Sequence, residues 1–292
     1  MSWYSKYLKY YEKPFSTVPE SAIAEVRNNL KRFDTDKPPV ASIVVIARNE
    51  ETRAFSCLWA LSESLCDYPI EIIGVDNVST DRTAEIYEAV GIRWFTETQK
   101  SCGYARRCGL QHARGKYYFC IDADTLYPPR YIQTFIRNLE KPGVVGVSSL
   151  WSFVPDEKHS RFGLAVFEFF RDIHVWFLSF NRPELSVRGL VFAYRTEYGR
   201  EIGYRVELKR GEDGSMALGL KKYGKLKLIM SRKARAVTAT NTLGTDGSLF
   251  KSFMVRFKKA LKGFGSYFTG RAHYVDEDSN LIDDYKKQRD GK

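Results

Sequence analysis

Two aspartates separated by one small residue, Asp122-Ala123-Asp124, close a run of aromatic and β-branched residues at 117–121. If the chain is still extended there, residues two apart project to the same side, so the two carboxylates share one side of a strand end. Such a pair suits a hard divalent cation, Mg2+ or Mn2+. These ions take oxygen ligands from one or two carboxylates and complete their shell with water and substrate phosphate. The same pair is also compatible with ordinary loop solvation, and the neighbouring elements have to separate the two readings.

Those neighbours alternate. Apolar runs at 42–47, 70–75, 92–95, 117–121 and 144–150 have the composition of buried strands, and 51–65, 80–89, 104–113 and 131–139 have helical spacing. Ser79 is the N-cap candidate for the second of these helices. The alternation predicts βαβ units around a mixed, mainly parallel sheet flanked by helices, with ligands beyond the carboxyl ends of its strands. The first strand ends in Arg48-Asn49-Glu50, the second in Asp76-Asn77 and the central one in Asp122-Ala123-Asp124. Asn49, Asp76 and Ser79 also fit turn or cap roles. Three polar strand ends on one edge favour a site.

Past residue 150 the pattern loosens. Phe162, Ala165, Val166, Phe169, Phe170, Ile173, Trp176, Phe177 and Phe180 recur at helical spacing and read as a core-facing stripe, with a membrane or acceptor surface as the alternative. Residues 188–194 read as a strand entered through Gly189. Gly211-Glu212-Asp213-Gly214 opens a helix expected to run to Tyr223, with Gly224 as its stop. Acids at a helix start are also common capping groups. Residues 226–230 read as a strand, followed by the cations Arg232, Lys233 and Arg235.

Composition narrows the classes. The 292 residues are 43% hydrophobic, which is globular rather than disordered. The five cysteines include no C-x-x-C pair, so neither a disulfide framework nor a zinc site is indicated. A net charge of +11 favours an anionic partner. No zinc finger, RNA-binding signature or helix-turn-helix pattern appears, so no nucleic-acid partner is expected. G-x-G-x-x-G is missing after the first strand, which disfavours a dinucleotide oxidoreductase. With no secretory signal and no uncharged run long enough to span a bilayer, a cytoplasmic location is expected.

The motifs V-V-I-A-R-N-E-E, I-I-G-V-D-N-V-S-T-D, G-Y-A-R-R-C-G, F-C-I-D-A-D-T and G-E-D occur in that order across about 40–240. As a set they resemble the family 2 glycosyltransferases. That resemblance implies a GT-A-type, Rossmann-like fold, a nucleotide-sugar donor and a divalent cation. It implies that Ala47, Asn49, Glu50 and Asp76 line the nucleotide pocket and that Arg106 reaches the base or phosphates. Asp122 and Asp124 match the D-x-D pair, with Asp124 on the metal and Asp122 near ribose or metal. Asp213, preferred over Glu212, matches the catalytic base of an inverting transfer, and Arg232 or Arg235 the diphosphate cation. Two departures stand out. Asn77 occupies a position where many members have aspartate, and Arg107 one where asparagine is frequent.

The expected organisation is an N-terminal extension (1–39), a catalytic domain (40–245) with a nucleotide-binding half to about 125 and an acceptor half after it, and a C-terminal segment (246–292). Within 248–268, Phe250, Phe253, Phe257, Phe264 and Phe268 share a helical face among lysines and arginines, with no acid. This basic amphipathic helix suits either an anionic membrane surface, making the protein peripheral on the membrane's inner face, or docking on the domain. A glycan or lipid-linked acceptor is the expectation. The enzymatic alternative is a sugar-phosphate nucleotidyltransferase, disfavoured by the lack of a glycine-rich phosphate loop near the first strand; the non-enzymatic one is a basic nucleic-acid-binding protein.

Overall fold

The computed structural model describes residues 2–208 and 211–240. The amphipathic helix expected over 248–268 and the segment after it lie outside the described residues, as does Arg210. Residues 2–39 are built onto the domain. Tyr10, Phe15 and Val18 join the main core, and Tyr7 and Tyr11 pack with Ala60 and Leu126. Helix α1 (Glu20–Lys31) turns Ile23, Val26 and Leu30 inward.

Strands β1 (Ala41–Ala47) and β2 (Ile70–Asp76), joined through α2 (Ala54–Ser62), are buried along their whole length, as parallel strands covered on both faces must be. Helix α3 (Thr83–Val90) leads to the edge strand β3 (Arg93–Thr96), and α4 (Cys102–His112) to β4 (Tyr117–Asp122). Ser101 caps α4, its side chain accepting from Tyr104 N at 3.1 Å. There follow β5 (Thr125–Leu126), α5 (Tyr131–Leu139), β6 (Val144–Ser149), β7 (Trp151–Phe153), α6 (Arg161–Asn181) and α7 (Pro183–Ser186). The described chain closes with β8 (Phe192–Arg195), α8 (Thr196–Ile202), α9 (Glu212–Leu220), β9 (Lys225–Ile229) and β10 (Ala236–Thr238).

The main sheet has the order β3-β2-β1-β4-β8-β6-β9. It is mixed and mainly parallel, because β8 alone runs antiparallel to its neighbours β4 and β6. A small sheet, β5-β10-β7, lies beside it. No helix among the described residues is long and apolar enough to cross a membrane.

Three expectations need correction. Ser79 does not cap α3, which begins four residues later; its hydroxyl accepts from Asn49 N instead. Helix α9 ends at Leu220, short of Tyr223. Gly224 serves close packing, since a Cβ there would lie 2.5 Å from the Gly143 carbonyl oxygen. The largest correction is α6. Its predicted core stripe points outward and the opposite face, Leu164, Phe167, Val175 and Leu178, is buried. The polar side chains decide the orientation. Glu168 accepts from Phe153 N at 2.8 Å and Ser152 Oγ at 2.7 Å, Arg171 donates to Trp151 O, and Asp172 pairs with Arg235. Apolar spacing alone marked a face without saying what covers it.

Candidate active site

The sheet brings three polar strand ends to one edge. Ala47 lies in register with Asp76, and Ile46 with Asp122. The loops after β1 and β2 are then stitched together. Asn49 sits at φ 55, in the left-handed region that asparagine tolerates better than most residues. Its N–H donates to Ser79 Oγ at 3.0 Å and its Oδ1 accepts from Thr80 N at 2.8 Å. Glu50 N donates to Thr83 Oγ1 at 2.9 Å. Asp76 accepts from Ser79 N through Oδ2 at 3.3 Å, while its buried Oδ1 accepts no hydrogen bond among the described residues. A buried acceptor left open is a docking point for a ligand N–H or O–H. Asn77 donates its side-chain amide to Glu97 O at 3.1 Å and Gln99 O at 2.7 Å.

At the end of β4 the acids outnumber their cations. Asp124 Oδ1 accepts from Thr125 Oγ1 at 2.8 Å and Thr238 Oγ1 at 3.2 Å, and its main-chain oxygen accepts from Tyr11 Oη at 2.6 Å. Burial, reinforced by Asp122, pushes the Asp124 carboxyl up to about 6. Burial and then the Asp124 charge push Glu50 up to about 7, although Arg53 bonds it at 3.0 Å and also reaches Glu12 at 2.8 Å. Carboxylates crowded enough to hold protons near neutrality form a hard oxygen donor set short of positive charge. That chemistry fits Mg2+ or Mn2+, which Asp122 and Asp124 could hold. Among the described residues no cluster of three or more His, Cys, Asp and Glu side chains forms a metal cage. Cations that rely on water and substrate phosphate do not need one.

Arg106 is placed differently from a residue reaching out to phosphate. It is buried, with Nη2 2.5 Å from Asp122 Oδ1, Nη1 3.4 Å from Ile121 O and Nε 3.6 Å from Asp213 Oδ1. One guanidinium therefore joins the end of β4 to the first turn of α9. Gly211, at φ 101, turns the chain into that helix. Burial raises the Asp213 carboxyl against the opposing pull of Arg106, and burial beside Asp213 pushes Glu212 up to about 8. Asp213 Oδ1 accepts no hydrogen bond among the described residues. Gly189 forms the wall beside it, since a Cβ there would meet Asp213 Oδ2 at 2.1 Å.

Asp76, Asp122, Asp124, Glu50, Arg106, Glu212 and Asp213 are thus gathered around the strand ends and the first turn of α9. Arg232 and Arg235 instead line a cleft of about 300 Å³ with Arg161, Glu168 and Trp3. Arg235 is engaged there by Asp172 and, at 3.8 Å, by Glu168. Sequence reasoning missed Tyr11, Arg53, Thr238 and the packing role of Gly189. The first two lie outside the five motifs, and Thr238 and Gly189 act through contacts with residues distant in the chain.

Residues 42–185 match the Glycosyl transferase family 2 profile. The Uncharacterized glycosyltransferase YfnE of Bacillus subtilis (strain 168) is 28% identical over 128 residues, which cover 42% of this chain and 33% of YfnE. The matches span about a third of the length of such curated relatives. Among solved structures, the mannosyltransferase PcManGT from Pyrobaculum calidifontis in complex with GDP-Man and Mn2+ superposes with a TM-score of 0.54 at 19% identity, over 77% of this chain and 66% of that one. S. aureus TarS 1-349 in complex with UDP superposes with a TM-score of 0.51 at 20% identity, over 68% and 60%. At these identities the structural likeness is one of fold.

Proposed function

Because the chain carries a family 2 glycosyltransferase domain of the GT-A fold, we propose that it transfers a sugar, with inversion, from a nucleotide-diphospho-sugar to a hydroxyl of a glycan or lipid-linked acceptor. The observation that carries this reading is the shared guanidinium of Arg106, which ties Asp122 at the donor edge to Asp213 beyond it. A donor-side carboxylate and a candidate base thus face one shared cation, which brings them together as an in-line displacement requires.

The open Oδ1 of Asp76 takes a donor group of the base or ribose. Asp122 and Asp124 would hold Mg2+ or Mn2+, and such an ion would offset the charge growing on the leaving diphosphate. Asp213 receives the proton of the acceptor hydroxyl as its oxygen bonds to the anomeric carbon, and the nucleoside diphosphate departs with the bonding pair from the opposite face. Burial, by raising the carboxyl, makes Asp213 a stronger base than an exposed aspartate.

The reading is tested by thermal denaturation with a panel of nucleoside diphosphates, each with and without Mn2+. A ligand that binds only the folded state raises stability by mass action, so no acceptor is needed. Stabilisation that requires both nucleotide and metal, and that disappears in Asp124→Ala, is the expected outcome. If no nucleotide stabilises the protein, the reading fails.

A further inference from the structure

We infer that the outward face of α6 is a docking surface for an anionic lipid bilayer. Helix α6 is apolar on two opposite sides. Leu164, Phe167, Val175 and Leu178 are buried, whereas Phe162 is 80%, Phe169 61%, Phe177 61% and Phe180 64% exposed, with Val166, Ile173 and Trp176 exposed between them. At about 100° per residue these seven fall within an arc of roughly 100°, and the buried four are centred on the opposite side. No charged residue lies in the outward arc. The helix's interior charges, Glu168, Arg171 and Asp172, are engaged toward β7 and Arg235. Trp176 packs edge-on against Phe177 and Phe180, so part of the exposed stripe is a contiguous aromatic surface, the kind of patch that marks an interaction site.

Charge and residue type select the occupant. Exposed Arg161 and Arg232 line the cleft beside the first turns of α6, and the chain carries a net charge of +11. A second copy would carry the same net positive charge and be repelled. An anionic surface is attracted. Phenylalanine and tryptophan on one side of a helix, with arginines at its end, match the composition of helices that lie in the membrane interface. The 21 residues of α6, interrupted by Glu168, Arg171 and Asp172, are not apolar enough to span a bilayer, so it lies flat. The inference is independent of sugar transfer and names a surface that the glycosyltransferase reading does not require.

The test is co-sedimentation of the full chain with phosphatidylcholine vesicles, with and without phosphatidylglycerol. The wild type is compared with the triple variant Phe169→Ser, Phe177→Ser and Phe180→Ser. All three positions are exposed, so the fold is expected to survive, and an unchanged melting temperature verifies this. The wild type should partition into the anionic vesicles, and the triple variant about tenfold or more weakly. Vesicle-induced blue-shifted tryptophan emission should be reduced in Trp176→Phe. Three results overturn the inference. The wild type stays in the supernatant, the triple variant sediments like the wild type because the contact lies elsewhere in the chain, or the variants convert a dimer to a monomer without any vesicle binding.

Discussion

Arg106 Nη2 lies 2.5 Å from Asp122 Oδ1 while its Nε lies 3.6 Å from Asp213 Oδ1, so one buried cation faces two carboxylates from separate elements. Removing it leaves both acids without their main compensating charge. Breaking a buried ion pair from one side typically costs about 3–5 kcal/mol. Arg106→Met is therefore expected to lower unfolding free energy by an amount in that range, measured by urea denaturation. A loss below about 1 kcal/mol, the scale of an exposed ion pair, would mean that the network is not structural.

Asp213→Asn keeps shape and burial while removing the proton acceptor. The expected result is a loss of turnover of about 10²–10⁴-fold, the usual contribution of a general base. Affinity for the nucleotide, measured by calorimetry with Mn2+ present, should change little. Equal losses in both would place Asp213 in donor binding rather than proton transfer.

How much of this was legible in the sequence depended on distance along the chain. Asp76 and Asp122 were readable because each ends a continuous apolar strand, and parallel strands put such ends on one edge. The pairing of Arg106 with Asp122 and Asp213 was not. A cation on α4 has no local signal for which acids it will meet, and family resemblance pointed it toward the nucleotide instead. Thr238 reaches Asp124 only because β10 pairs with β5. The outward face of α6 was misread for the same reason. Periodicity located the stripe, but Glu168 and Asp172 fixed which side faces the domain.

The raised carboxyls set a direction for stability against pH. Glu212 is pushed up to about 8 and Glu50 to about 7, whereas an unfolded chain releases those protons near 4.5. Between these values the folded state holds protons that the unfolded state has lost, so raising the pH favours unfolding. The metal-free, nucleotide-free protein should lose melting temperature steadily from about pH 5 to pH 8. Glu212→Gln should flatten the upper part of that slope. A melting temperature that rises across the interval would contradict the burial of these acids.

Gly189 offers a way to move the Asp213 carboxylate without altering it. A Cβ there would sit 2.1 Å from Asp213 Oδ2 and 2.6 Å from Arg106 Nη2, both far inside contact distance. Arg106 is anchored by Asp122 and by the Ile121 carbonyl, so Asp213, whose Oδ1 accepts no hydrogen bond among the described residues, is the partner that yields. Gly189→Ala should therefore cost about 1–3 kcal/mol of stability through overpacking and reduce turnover far more than nucleotide affinity. If the turnover loss arises from displacing Asp213, it should vanish in an Asp213→Asn background, where no base remains to be displaced. An undiminished loss there would show that Gly189 acts on some other part of the site.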